Sequence, residues 1–226
     1  MVDYKFIEYL EQFVTEKRRN LFQKVLDERT RHFTVAIEDI YQPHNASAVV
    51  RSCEIFGIQD LHVIQNKYKF YASNQVAKGA QKWIDFSIFK EKDTNNTLAC
   101  IDDLRKRGYK IIATTPHNES CILQDFDITQ KSAFFFGVEK GGLSKDVMEN
   151  ADGFLKIPMV GFTESLNISV ATAIILQNMN DKLKKSDVNW QLSETEKSEL
   201  YLKWLQKTIK SIKKIKEYYY SEIATQ

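Results

Sequence analysis

Short, mostly apolar runs alternate with amphipathic stretches along the middle of this 226-residue chain. The runs are FTVAIEDI (33–40), LHVI (61–64), IIAT (111–114), AFFFG (133–137) and FLKIP (154–158). Their β-branched and aromatic residues suit buried strands. Helical patterns fill the gaps at 97–107, 144–150 and 166–183. Another helix follows Pro43, running through Val49, Val50, Cys53 and Phe56 to a C-cap at Gly57. A strand apolar on both faces cannot turn either face to water. Alternation with helices therefore predicts an α/β fold, a parallel sheet with helices on both faces.

The two ends read differently. Phe6, Ile7, Leu10, Phe13, Leu21, Phe22, Val25 and Leu26 are spaced as two helices or one bent helix. Residues 193–220 read as one long helix, with Leu202, Leu205, Ile209 and Ile212 on one stripe and Lys203, Lys207, Lys210 and Lys214 on another. The simplest layout has a basic helical extension at 1–31, a central domain at 32–186 and a second basic helical extension at 187–226. The formal net charge of +2 conceals this polarity. Residues 17–31 hold six basic side chains against two acidic, and 203–217 hold six lysines against one glutamate. Basic ends on an acidic body suit a polyanion grasped at the periphery, and equally suit two solvated helix faces.

Other classes are set aside on composition. No apolar run reaches membrane-spanning length and no charged-then-apolar start is present, so neither a membrane protein nor an exported one is expected. Cys53, Cys100 and Cys121 are scattered, which suits small buried thiols in a reducing cytoplasm. His32, His44, His62 and His117 form no ligand cluster, so no metal is expected. The absence of GxGxxG argues against a dinucleotide bound in the Rossmann manner.

In an open α/β sheet, ligands bind in the loops at the carboxyl ends of strands. Three such loops stand out. YQPHNASAVVRS (41–52) carries Asn45 at an apparent helix N-cap, with Arg51 among Ala48, Val49, Val50 and Cys53, a setting in which a guanidinium calls for a carboxylate or phosphate. FFFGVEKGGLS (134–144) brackets Glu139 between Gly137 and the pair Gly141 and Gly142, which permits close backbone approach. IPMVGFTESLNISVATA (157–173) is a long polar loop leading into a helix rich in small residues. Taken singly, each also fits an ordinary strand-to-helix turn.

In this order and spacing the three segments resemble the signature motifs of the TrmH (SpoU) branch of the SPOUT methyltransferases, the tRNA guanosine-2′-O-methyltransferases, over about 18–183. The resemblance implies a C-terminal deep trefoil knot that holds S-adenosyl-L-methionine, with Thr114, Gly137, Ile157 and Leu166 at the cofactor positions. It implies a catalytic centre of Arg51, Asn45, Glu139, Ser165 and Asn167, and a homodimer whose sites are completed across the interface. Arg18, Arg29 and His44 match positions that handle RNA, and the tail lysines Lys207, Lys210 and Lys214 are assigned to the same task. The expected activity is methyl transfer from S-adenosyl-L-methionine to a ribose 2′-hydroxyl of a guanosine in the D-loop of tRNA. The rival readings are an rRNA 2′-O-methyltransferase of the same family and a catalytically silent RNA-binding dimer. The short stretch before the first strand and the basic tail favour tRNA. The presence of Arg51, Asn45 and Ser165–Leu166–Asn167 favours catalysis.

Overall fold

The computed structural model describes residues 2–116, 121–138 and 141–223. In chain order its elements are α1 (Tyr4–Glu11), α2 (Glu16–Leu26), β1 (Phe33–Glu38), α3 (Pro43–Ile55), β2 (Asp60–Ile64), α4 (Asn74–Ala77), β3 (Asp85–Phe89) and α5 (Asn96–Lys106). There follow β4 (Lys110–Thr114), β5 (Cys121–Ile122), β6 (Ser132–Phe136), α6 (Lys145–Asn150), β7 (Gly153–Lys156), α7 (Ile168–Lys184), α8 (Glu194–Thr208) and α9 (Ile212–Tyr218). Two compact units result. One spans Thr30–Trp190, and the other combines Met1–Arg29 with Gln191–Gln226.

The larger unit is a seven-stranded sheet in the order β3-β2-β1-β6-β4-β7-β5, with every pairing parallel. Alternate residues of each strand feed opposite layers, as the pleat requires. Val35, Leu61, Val63, Phe134 and Phe136 pack with Val49, Val50 and Cys53 of α3 and with Ile175, Leu176 and Met179 of α7. On the other face Ala36, Ile64, Ile111, Ala113 and Phe135 meet Cys100, Ile101 and Leu104 of α5 and Val147 of α6. Each large side chain fully buried here contributes about 1.5–3 kcal/mol. The α/β sheet covered on both faces is thus the fold the strand pattern requires.

Several details depart from the pattern. β3 is an edge strand of half-buried residues with Ile88 exposed, and β5 is only two residues long. Cys53 and Cys100 are buried as expected, but Cys121 on the β5 edge is exposed. Asn45 is not the N-cap of α3. Gln42 occupies that position and Pro43 opens the helix, where a missing N–H costs nothing.

In the smaller unit, α1 and α2 are capped by the side chains of Asp3 and Thr15, and α8 by a capping box of Ser193 and Glu196. Leu10, Phe22, Leu26 and Trp204 are buried, with Phe22 edge-on to Trp204 at 5.6 Å. The single long helix expected over 193–220 is interrupted: Ile209 is extended and Ser211 is left-handed at φ 59°, which separates α8 from α9. Arg29, expected to meet RNA, is instead 1% exposed with its guanidinium 5.5 Å from the Trp204 ring centre. A cation held against an indole in the interior stabilises the fold and is not presented to a phosphate.

His62 on β2 is fully buried beneath α5, and neither ring nitrogen has a hydrogen-bond partner among the described residues. Burial first, and the nearby Arg107 cation second, lower its pKa to about 4. Between pH 4 and 6.5 the unfolded chain therefore binds a proton that the folded chain refuses. Stability is complete above pH 6.5 and falls as the pH drops through that window, by about 1.4 kcal/mol per unit from this group. His62→Phe is expected to remove that component of the slope and to hold or raise the melting temperature at pH 5, because an unsatisfied buried polar group is replaced by a ring of similar shape. Thermal melts of both proteins from pH 4.5 to 7.5 check this. An unchanged slope would contradict it.

Candidate functional site

The carboxyl ends of β4, β6 and β7 open onto one cavity of about 370 Å³. Three post-strand loops build it. Thr114 and Thr115 come from the first, Gly137, Val138, Gly141, Gly142 and Leu143 border it from the second, and Ile157, Met159 and Glu164 to Leu166 close it from the third. The four residues expected to hold a cofactor, Thr114, Gly137, Ile157 and Leu166, all line it, as does Ser165. The hydroxyl of Thr114 donates to the Phe135 carbonyl at 2.7 Å, which ties the first loop to β6.

Backbone chemistry shapes the second loop. Val138 and Gly142 exchange hydrogen bonds of 3.1 and 2.8 Å, folding the segment back on itself. Gly142 is left-handed at φ 64°. A Cβ on Gly137 would overlap the Gly142 carbonyl, so only glycine fits there. The loop ends at Ser144, the N-cap of α6, which is moored by a group the motif reading missed. Glu38, buried at the end of β1, accepts from the Ser144 N–H at 2.8 Å, the Ser144 hydroxyl at 2.7 Å and the Thr97 hydroxyl at 2.6 Å. The signal available was an acidic residue ending an otherwise apolar strand. Glu139, placed by the resemblance at the catalytic centre, lies outside the described residues.

Asn167 caps α7 through its side-chain oxygen, which accepts from the Ser169 N–H at 2.8 Å, while its amide donates to Asn45 Oδ1 at 3.1 Å. Asn45 in turn donates to Gln42 Oε1 at 2.8 Å, and Gln42 donates to the Tyr41 hydroxyl at 3.1 Å. This relay joins the first motif to the third. A small recess beside it is lined by Tyr41, Gln42 and Asn45 together with Gly137 and Val138, so it abuts the second motif too.

Arg51 departs from expectation. Its sequence neighbours are apolar, but the helix turns Ala46, Val49, Val50 and Cys53 to the sheet and leaves Arg51 exposed. It shares the outer face of α3 with His44 and with Ile55, which is 58% exposed. Among the described residues it makes no hydrogen bond or ion pair, and it lies about 9 Å along the helix from Asn45. Leu166, Val170 and Ile174 add further exposed apolar side chains at the start of α7, which packs against α3. In the smaller unit Arg18 is exposed, with its guanidinium 5.8 Å from the Phe22 ring. Lys207, Lys210 and Lys214 are all exposed, and Lys207 also lines a shallow basic groove with Lys203, Lys213 and Lys216.

No group of histidines, cysteines or carboxylates among the described residues is placed to hold a metal ion. No described helix is long and apolar enough to cross a membrane.

Residues 32–177 match the SpoU rRNA Methylase family. A tRNA (guanosine(18)-2′-O)-methyltransferase of Borreliella burgdorferi is 41% identical over 92% of this chain and 93% of its own. The crystal structure of the Aquifex aeolicus TrmH/SpoU tRNA modifying enzyme superposes with a TM-score of 0.76 at 30% identity, covering 86% of this chain and 98% of that one. The SpoU methyltransferase AviRb of Streptomyces viridochromogenes, solved in complex with AdoMet, shares the fold with a TM-score of 0.61 at 23% identity, over 72% of this chain and 65% of that one. The motifs, the parallel sheet and these matches agree, and the chain belongs to the SpoU methylase family.

Proposed function

We propose that this protein transfers the methyl group of S-adenosyl-L-methionine to the ribose 2′-oxygen of a guanosine in tRNA, at position 18 as in the names of its relatives. The observation that carries this reading is the convergence of the second and third motif loops on one cavity, with Asn45 of the first motif bonded to Asn167 of the third beside it.

The cavity suits the cofactor in kind. Its volume is that of a small-molecule site, and the steric ban on any side chain at Gly137 lets the two limbs of the second loop pack tightly at its border. Thr114, Gly137, Ile157 and Leu166 would hold the molecule, whose sulfonium supplies an electrophilic methyl group. The likeness to AviRb, known with AdoMet, supports the same assignment. A deep trefoil knot accompanies it. β7 lies between β4 and β5, which are consecutive strands in the chain. That arrangement supports threading.

The protein's own groups supply positioning and charge. Asn45 and Asn167 fix each other and hold the third loop against α3. Arg51 grips the phosphate beside the target ribose and stabilises the alkoxide developing at the 2′-oxygen. It does not remove the proton, because a guanidinium is not neutral in a protein. As the O–CH3 bond forms and the S–CH3 bond breaks, S-adenosylhomocysteine leaves and the hydroxyl proton passes to solvent water. Holding the nucleophile about 3–3.5 Å from the methyl carbon supplies much of the remaining acceleration. The protein acts as a homodimer. Ile55, Leu166, Val170 and Ile174 give the α3–α7 face exposed apolar surface for a second copy, and Arg51 stands at the margin of that face.

Incubation with tRNA or rRNA and cofactor carrying a labelled methyl group tests the reading. Label is expected in tRNA. Label confined to rRNA would favour the sister activity, and label in neither would defeat the proposal.

The basic tail is assigned to the RNA backbone. Lys207→Gln, Lys210→Gln and Lys214→Gln together are expected to weaken tRNA binding about tenfold at 100 mM salt, and to reduce the slope of log affinity against log salt by 2–3, because each phosphate contact releases about one counterion. Filter binding across 50–300 mM salt measures both. An unchanged slope would make these lysines an ordinary solvated face.

A further inference from the structure

The loop leaving β2 carries Lys67, Tyr68, Lys69, Phe70 and Tyr71, a basic and aromatic run from which only Phe70 packs against the core and no residue lines the cofactor cavity. Tyr41, just past β1, and Tyr68 are each 48% exposed, and their rings pair at 5.4 Å with an interplanar angle of 49°. Tyr71 is 65% exposed. A single exposed tyrosine means little. Two paired at the mouth of a candidate active site, with the surroundings that follow, mean more.

The pair is held in place from below. Asp39 adopts a left-handed conformation at φ 52°, uncommon outside glycine, and one of its carboxylate oxygens accepts from the N–H groups of Asn66 and Lys67, both at 2.8 Å, and of Tyr68 at 3.4 Å. One strained residue thus fixes both the exit of β1, which leads to Tyr41, and the turn that carries Tyr68. Strain of this kind is retained where geometry matters to function. The pair is also wired to the site, because the Tyr41 hydroxyl ends the relay from Asn167 through Asn45 and Gln42. Lys67 and Lys69, both exposed, flank the rings with positive charge.

We propose that Tyr41 and Tyr68 form a stacking platform for an unpaired nucleobase of the RNA substrate, beside the ribose that accepts the methyl group. The inference rests on the proposed activity and adds to it how the accepting nucleotide is held. Exposed aromatic rings beside lysines are the means by which proteins bind splayed-out bases in single-stranded and loop RNA. A base inserted between two rings needs roughly 6.8 Å, twice the stacking rise of nucleic acids. At 5.4 Å the tyrosines leave no such gap, so the base stacks on an outer ring face and Lys67 or Lys69 meets an adjacent phosphate.

Tyr41→Ala and Tyr68→Ala are each expected to raise the Kd for a tRNA transcript about tenfold, as the loss of one stacked base does. Tyr68→Phe keeps the ring and restores the affinity. Stacking releases no counterions, so the salt slope of the alanine variants should match that of the wild type, in contrast to lysine variants. Affinity for S-adenosylhomocysteine and the melting temperature should stay unchanged. Wild-type tRNA affinity in both alanine variants would overturn the platform. So would a matching fall in melting temperature or cofactor affinity, or a dimer turned monomer in light scattering, since the rings would then serve the fold or a subunit contact. If the wild type methylates tRNA and the variants equal it, the platform alone fails. If the wild type neither binds nor methylates tRNA, the activity fails and takes the platform with it.

Discussion

Gly137→Ala is expected to abolish measurable cofactor binding while leaving a folded protein. The added Cβ would overlap the Gly142 carbonyl and approach the Leu143 nitrogen at 2.5 Å. Those are backbone atoms, so no rotamer change relieves the clash. The turn must open, breaking the two hydrogen bonds between Val138 and Gly142. At about 1 kcal/mol each, their loss costs roughly 2 kcal/mol of local stability. β6 stays seated between β1 and β4, so the fold survives. The second loop, however, no longer borders the cavity, and the Kd for S-adenosylhomocysteine should rise at least about 100-fold, or about 2.7 kcal/mol. Calorimetry and a thermal melt on the same sample read both effects. Binding within threefold of wild type would show that this loop does not form the cofactor site.

Arg51→Ala is expected to act on the chemical step instead. An exposed arginine with no ion pair among the described residues contributes little to stability, so the melting temperature should stay within about 2 °C. If its guanidinium meets the substrate phosphate and the developing alkoxide, single-turnover methylation should slow about 100-fold or more, as when an oxyanion-stabilising donor is lost. Cofactor affinity should be unchanged, since Arg51 does not line that cavity. Arg51→Lys should recover only part of the rate, because a point charge cannot reproduce the planar fork. A well-folded alanine variant with near-normal turnover would remove Arg51 from the mechanism.

The two variants also mark where sequence reasoning succeeds and where it stops. The sheet was legible because strands such as AFFFG are apolar on every residue, a pattern that only a doubly covered strand satisfies. The glycines of the second loop were legible as close-approach positions, and the Val138–Gly142 turn gives the reason. Arg51 was misjudged because neighbours in sequence were taken for neighbours in space. On a helix, Val50 and Arg51 point about 100° apart, and only one of them faces the sheet. Arg29 was assigned to RNA by the resemblance alone, and no local pattern announces its pairing with Trp204, 175 residues away. The break between α8 and α9 carries neither glycine nor proline. β3 and β5 lacked the apolar density that identifies central strands, one being a half-buried edge and the other two residues long. The proposed knot would have no signature in periodicity at all, because threading depends on which strands become neighbours and not on what each strand is.

Glu38 and the tyrosine pair belong to a third class. Their residue types were visible, but their meaning lay in contacts made across the fold. A glutamate ending an apolar strand is unremarkable until Ser144 and Thr97 are found bonded to it. Tyr41 and Tyr68 are separated by a helix and a strand before their rings meet.

The central claim is methyl transfer to a ribose oxygen of a guanosine in tRNA, and the chemical identity of the product tests it most directly. An unmodified tRNA transcript with a guanosine at position 18 should be incubated with the protein and S-adenosyl-L-methionine, digested to nucleosides and analysed by mass spectrometry. The account predicts one 2′-O-methylguanosine per transcript, with the added mass on the ribose fragment, and none when that guanosine is replaced by adenosine. A methyl group on the base, methylation that persists after the replacement, or no methylation by a protein shown to bind S-adenosylhomocysteine would contradict it.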